Sequence, residues 1–144
     1  MRVQVILQSK VRNNWTAAWT EEYQKRLTNS MPFDVVKWGV SQHIKGERFF
    51  SNLNPGDKAV ALDEGGKSFT TRGLSEYLEK LLPVCRTLYI FIGESAGHSD
   101  VVLKNVSERW SLSKMTMSYE VALVVLAEQL YRCMTIRTGH PYHK

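Results

Sequence analysis

The stretch Thr71 to Asp100, TRGLSEYLEKLLPVCRTLYIFIGESAGHSD, carries the alternation that decides the fold. Leu74, Tyr77, Leu78 and Leu81 recur at helical spacing, and Pro83 stops the helix that this pattern predicts over residues 71–82. Thr87 to Ile92 is an apolar run of strand length, as expected of a strand buried on both faces. A loop of small residues, Gly93-Glu94-Ser95-Ala96-Gly97-His98, then leads to Ser99-Asp100, a pair suited to capping a helix that runs to about Val106.

Working outward, Val3 to Leu7 reads as an opening strand, and Trp15, Trp19, Tyr23 and Leu27 recur every fourth residue. That spacing predicts an amphipathic helix whose aromatic stripe faces the core. Phe33 to Trp38 is a second strand and Ile44 to Leu53 a short helix. Asn54-Pro55-Gly56-Asp57 is a turn, and Lys58 to Leu62 a third strand. Beyond the central stretch, Arg109 to Leu112 is a short strand, and Tyr119 to Ile136 is the longest helix, opened by Ser118. Strands alternating with helices along the chain predict one α/β domain over residues 1–144 with a largely parallel sheet.

Composition narrows the function. The 144 residues are 43% hydrophobic and 23% charged, ordinary globular usage that excludes a disordered or low-complexity chain. No apolar run approaches the roughly 18 residues that span a bilayer, and MRVQVILQSK lacks the apolar core of a signal peptide, so the expectation is a cytoplasmic, unprocessed protein without a membrane partner. The net charge of +5 permits a polyanionic partner as readily as a solvated basic surface. Cys85 and Cys133 form no CxxC pair, which argues against a disulfide framework or zinc module.

In parallel α/β sheets, ligands lie beyond the carboxyl ends of the strands, so three loops draw the search. They are Leu62-Asp63-Glu64-Gly65-Gly66-Lys67, where paired glycines allow a close approach to a ligand, Gly93 to His98, and Leu112-Ser113-Lys114-Met115-Thr116-Met117. None matches the dinucleotide or P-loop glycine patterns. His140-x-x-His143 has chelating spacing but no third ligand nearby, so no metal is expected, and His98 with Asp100 reads as a helix start rather than a catalytic pair.

The segment running through Leu112-Ser113-Lys114-Met115-Thr116 and Glu128-Gln129-Leu130-Tyr131-Arg132 to Pro141-Tyr142-His143-Lys144 closely resembles the RlmH family of small SPOUT methyltransferases. The resemblance extends over the whole chain, including Glu22-Tyr23, Arg26-Leu27 and Lys45-Gly46-Glu47-Arg48. It implies a SPOUT fold with a carboxyl-terminal trefoil knot, a homodimer, and S-adenosylmethionine as methyl donor. The implied substrate is a pseudouridine of large-subunit ribosomal RNA, methylated on N3 within the assembled ribosome. Family cofactor contacts carry over to Leu62, Gly93, Leu112, Ser113, Lys114, Met115, Thr116 and Met117. One subunit's tail would complete the other's pocket, making Tyr142, His143 and Lys144 the catalytic candidates: Tyr142 to orient the base ring, His143 as general base, Lys144 against a phosphate or developing anion.

Several positions depart from the family pattern. Gly93-Glu94 stands for a common Gly-Gly, Ser118-Tyr119 for Pro-His or Asn-His, Leu123 for Arg and Gln8-Ser9 for Val-Gly, and the segment between Trp38 and Ile44 is short. These departures keep two other readings open: a SPOUT methyltransferase with a different RNA target, and a non-catalytic ribosome-binding or assembly factor of the same fold.

Overall fold

In the computed structural model residues 1–39 and 42–144 are described, and of residues 42–44 only the backbone. The shortened segment between Trp38 and Ile44 therefore lies in part outside the described residues. Five parallel strands, β1 (Arg2–Leu7), β2 (Phe33–Lys37), β3 (Lys58–Ser68), β4 (Thr87–Ile92) and β5 (Glu108–Ser111), form one sheet in the order β2-β1-β4-β3-β5. Among the described residues four helices connect them, α1 (Asn14–Leu27), α2 (Gln42–Ser51), α3 (Thr71–Leu81) and α4 (Asp100–Asn105), and a fifth, α5 (Tyr119–Thr138), follows β5.

Alternation along each strand divides two cores between the sheet faces. Val3, Val5, Leu7, Val60, Leu88, Ile90 and Ile92 point to the face covered by α1, α3 and α5, where Leu27, Leu78, Leu123, Leu126 and Leu130 close the larger core. Ile6, Ala59, Ala61 and Phe91 point the other way, onto Val101 and Val102 of α4 and the rings of Phe49 and Phe50 of α2. Lys37, Leu7, Ile92, Leu62 and Trp110 pair in a single row across all five strands. This register brings the carboxyl ends of β3, β4 and β5 to one edge.

The local signals account for most boundaries. Thr70 accepts a hydrogen bond from the Gly73 amide at 3.0 Å, opening α3, and the helix ends two residues before Pro83. Ser118 likewise caps α5 at the Val121 amide, and Gly139 closes it in the left-handed region, with φ of 69°. Ser99 sits at the N-cap position of α4, but its hydroxyl makes no capping bond.

Two expectations need correction. Trp15 and Trp19 are each 51% exposed, and the face of α1 that packs inward is Thr16, Thr20, Tyr23 and Leu27. The threonines can be buried because their hydroxyls are satisfied: Thr20 Oγ1 donates to the Thr16 carbonyl at 2.7 Å, and Thr16 Oγ1 to Glu120 Oε2 at 3.4 Å. Glu120, in the first turn of α5, accepts from the amides of Arg12 and Asn13 and from the Asn13 side chain, so a carboxylate from another helix supplies the cap that Asn13 does not give α1. These bonds, the Arg12 amide foremost, hold the Glu120 carboxyl below its usual range. The second correction concerns Leu62 to Lys67, which is a bulged continuation of β3 rather than a loop. Leu62 and Lys67 both pair with Trp110. A Cβ at Gly66 would lie 2.6 Å from the Arg109 carbonyl carbon, so this glycine admits the neighbouring strand and not a ligand.

Candidate active site

A cleft of about 390 Å³ opens at the carboxyl edge of β3, β4 and β5, within the size range of small-molecule sites. Its walls are Leu62-Asp63-Glu64 from the β3 bulge, Gly93 to His98 after β4, and Leu112, Ser113, Met115, Thr116 and Met117 after β5, with Leu103 of α4 and Ala122 of α5 behind. Seven of the eight residues expected to touch a cofactor thus lie together. Lys114 is exposed and does not line the cleft, and neither do Gly65 and Gly66.

Hydrogen bonds fix the three walls to one another. His98 Nε2 lies 2.7 Å from the Leu62 carbonyl, and Thr116 Oγ1 donates to Glu64 Oε2 at 2.7 Å, joining the third wall to the first. Gln8, beyond β1, donates to the Gly97 carbonyl at 3.3 Å. The Gly97 amide closes a tight turn onto the Glu94 carbonyl at 2.8 Å, and a Cβ on Gly93 would meet the Gly97 carbonyl carbon at 3.0 Å, so glycine at 93 lets the turn fold back on its strand. The Ser113 hydroxyl accepts from the Met115 amide at 3.0 Å, leaving the Met115 side chain 77% exposed at the mouth.

The lining combines apolar and acidic side chains. Leu62, Ile92, Leu103, Leu112, Met117 and Ala122 supply the apolar surface, while Asp63, Glu64 and Glu94 supply three carboxyl groups. Asp63 accepts from the Gly65 amide and, at 3.5 Å, from Arg109. Glu94 Oε1 is buried without a hydrogen-bonding partner among the described residues. Tyr119 donates to the Lys10 carbonyl at 3.0 Å, and burial, with the charges of Glu120 and Glu94, holds its phenol above the usual range.

Tyr142, His143 and Lys144 lie elsewhere. The tail folds back onto α1 and α5, where Tyr142 Oη donates to Glu128 Oε1 at 3.1 Å and stands 3.5 Å from Tyr23 Oη. Its ring packs edge-on against Tyr131 with centroids 4.8 Å apart, under the Arg132 guanidinium at 4.7 Å. Arg132 is paired with Glu128 at 2.5 Å and points a second nitrogen at His143 Nδ1, 3.4 Å away. Arg26 lies over the Tyr23 and Tyr131 rings at 5.7 and 5.4 Å. Burial first, and the Tyr142 hydroxyl second, raise the Tyr23 phenol above its usual range. Lys144 is exposed. Ala122 at the cleft and Arg132 at the tail are ten residues apart on α5, about 15 Å along the helix axis.

The sequence motifs at residues 22–27 and 128–132 therefore converge on the cradle that holds the tail, a role that spacing did not reveal. Asp63 and Glu64 were signalled only as members of a turn-like run. His140 and His143 are not joined by further ligands: among the described residues no group of three or more histidine, cysteine, aspartate or glutamate side chains is placed to hold a metal ion. No helix among them is long and apolar enough to cross a membrane.

The family model described as "Predicted SPOUT methyltransferase" matches residues 1–143. A protein named Ribosomal RNA large subunit methyltransferase H from Parabacteroides distasonis is 36% identical over 155 residues, covering 99% of each chain. Its namesakes from Anaeromyxobacter sp. and Hahella chejuensis are 35% and 32% identical, covering 100% of this chain and 100% and 99% of their own. A solved structure of a probable methylase family protein from Haemophilus influenzae superposes with a TM-score of 0.56 over 99% of this chain and 70% of the other, at 9% identity, a likeness of fold alone. With a family match spanning all but the last residue and full-length relatives above 30% identity, the chain belongs to the SPOUT methyltransferases.

Proposed function

We propose that this protein methylates N3 of a pseudouridine in large-subunit ribosomal RNA of the assembled ribosome, as a cytoplasmic homodimer in which each site combines one subunit's cleft with the other's tail. As a SPOUT methyltransferase it draws its methyl group from S-adenosylmethionine. The trefoil knot belongs to the same proposal. The observation that carries it is the separation of Tyr142 and His143 from the cleft of their own chain: the tail is anchored by Tyr23, Glu128, Tyr131 and Arg132 at the far end of α5. A second copy supplies what one chain keeps apart. Trp15 and Trp19, exposed on α1, and Val121, 40% exposed on α5, give such a copy apolar surface to cover.

The cleft suits the donor. Its apolar side chains fit a nucleoside, its carboxyl groups fit a ligand carrying positive charge, and the unpartnered Glu94 oxygen awaits a donor or cation. Leu62, Gly93, Leu112, Ser113, Met115, Thr116 and Met117 would hold it, with Lys114 outside the lining. When bound, S-adenosylmethionine supplies an electrophilic methyl group. The residues of this chain then position and deprotonate: the Tyr142 ring, locked by Arg132, Tyr131 and Glu128, orients the base, and His143 takes the ring proton. Because a guanidinium only donates, His143 Nδ1 accepts from Arg132, and it must give up that contact to act as base through this nitrogen. Lys144, free at the end, meets phosphate or developing negative charge. The names of the relatives and the basic composition, +5 overall, support a ribosomal RNA partner.

The test is to incubate the pure protein with S-adenosylmethionine and unmodified ribosomes and to search the RNA nucleosides by mass spectrometry. N3-methylpseudouridine is the expected product. A different methylated nucleoside would replace the target, and no methylation by protein saturated with donor would favour an assembly factor.

A further inference from the structure

We infer that Glu94 makes the cleft selective for the charged methyl donor over its uncharged-sulfur product, so that methyl transfer itself loosens the spent molecule. This rests on the cleft being the S-adenosylmethionine site. The two molecules share the same amino acid and nucleoside ends and differ in the methyl group and in the one positive charge of the sulfonium, which becomes a neutral thioether when the methyl leaves.

The other two carboxyl groups and the histidine of the lining are already engaged. Glu64 Oε2 is held by Thr116 at 2.7 Å, and Asp63 by the Gly65 amide at 2.9 Å and Arg109 at 3.5 Å. The His98 Nε2 atom is spent on the Leu62 carbonyl. Among the described residues no lysine or arginine lines the cleft. Glu94 Oε1 is buried and unpartnered, yet the residue cannot retreat with its backbone. The Gly97 amide bonds its carbonyl, the two residues form a bridge, and Gln8 pins Gly97 from β1. A carboxylate oxygen shielded from water without a donor is a group that a cation or donor would satisfy. In a cleft with no opposing cation its field favours the ligand with more positive charge, and more strongly than it would in water.

The relevant variants are Glu94→Gln, which keeps the shape and removes the charge, and Glu94→Asp, which keeps the charge. Calorimetric affinities would be measured for S-adenosylmethionine, S-adenosylhomocysteine and sinefungin, whose ammonium replaces the sulfonium, with thermal melts of the ligand-free proteins as a check on folding. Glu94→Gln should weaken the two charged ligands about tenfold and the thioether less than about twofold, the expected effect of one screened charge pair. Glu94→Asp should keep most of the preference. An unchanged ratio of affinities in Glu94→Gln, whether both ligands weaken together or neither does, would overturn the inference while leaving the cleft as donor site. Binding of none of the three by the unaltered protein would instead overturn the donor site and the inference with it.

Discussion

The cleft and the tail cradle, at opposite ends of α5, are built on opposite plans. In the cradle each group is spent on a neighbour: Glu128 serves Arg132 and Tyr142, and Tyr142 also meets Tyr23 and Tyr131. In the cleft the walls are tied to one another, but one carboxylate oxygen is left unpaired and Met115 stands in solvent. The cradle is thus a finished structure that displays His143 and Lys144, whereas the cleft is an open one that, on the proposed function, the methyl donor completes. Two half-sites of this kind make sense when each is completed by something outside its own chain.

The largest effect that would break this comparison comes from removing the display. Deleting Tyr142 to Lys144 should lower methyl transfer by at least about a hundredfold, the usual worth of a positioned general base, with S-adenosylmethionine affinity unchanged by calorimetry. Thr116→Arg should be equally inactive for the opposite reason, since it places a fixed cation in the acidic mouth beside Glu64. Mixing the two dead proteins is the decisive assay. Random re-pairing makes half the dimers mixed, each with one whole site of two, and about a quarter of the unaltered activity should return. No recovery after demonstrated exchange of subunits would mean that cleft and tail do not serve one another.

Next in size is Gly66→Ala. Its Cβ would press on the main chain of Arg109 and Trp110, at 2.6 to 2.8 Å, and no side chain there can swing aside. The substitution should cost about 1–3 kcal/mol of stability and weaken donor binding, because β5 carries the third wall of the cleft. The cradle should be untouched, so methyl transfer at saturating donor should fall less than affinity does. Thermal melts and calorimetry on one preparation check both.

Glu128→Gln should do the reverse and more gently. Losing the charged partner of Arg132 and Tyr142 removes charge-assisted bonds and should cut methyl transfer about tenfold, a fraction of the effect of losing the base itself. Donor affinity should stay level. A change in affinity with an unchanged rate would invert the roles assigned to the two ends of α5.

The sequence made the sheet legible because apolar runs of strand length alternate with helical spacings, with a clear stop at Pro83 and a clear start at Ser118. It made the cleft legible for a topological reason, since loops after parallel strands must gather at one edge. The orientation of α1 was not legible. Thr16 and Thr20 turn inward because Glu120, more than a hundred residues away, satisfies one hydroxyl and the helix backbone the other, and no window of neighbouring residues contains that information. The run Asp63-Glu64-Gly65-Gly66 misled similarly: glycine marks close approach, but the approaching atoms belong to β5. The cradle was visible only as recurring motifs, because its parts come from residues 22–26, 128–132 and 142–143 and meet through the fold.

The smallest effect concerns the stretch of α5 beside the cradle, which must stay closed if the helix is to hold its two stations apart. Cys133 faces α3 there, with Ser75 donating to its carbonyl at 3.2 Å. Burial pushes its thiol up from 9.0 to about 12. The folded state therefore holds this proton more tightly than the unfolded chain, and the stability so contributed is complete below pH 9.0 and is lost as pH rises toward about 12. Cys133→Ala should flatten the alkaline limb of the stability curve over that window, and iodoacetamide at pH 8 should label the thiol only after denaturation. Rapid labelling of the folded protein would mean that α5 opens beside the cradle. The two half-sites would then be coupled through their shared helix, and the division of labour between cleft and cradle would fail at its hinge.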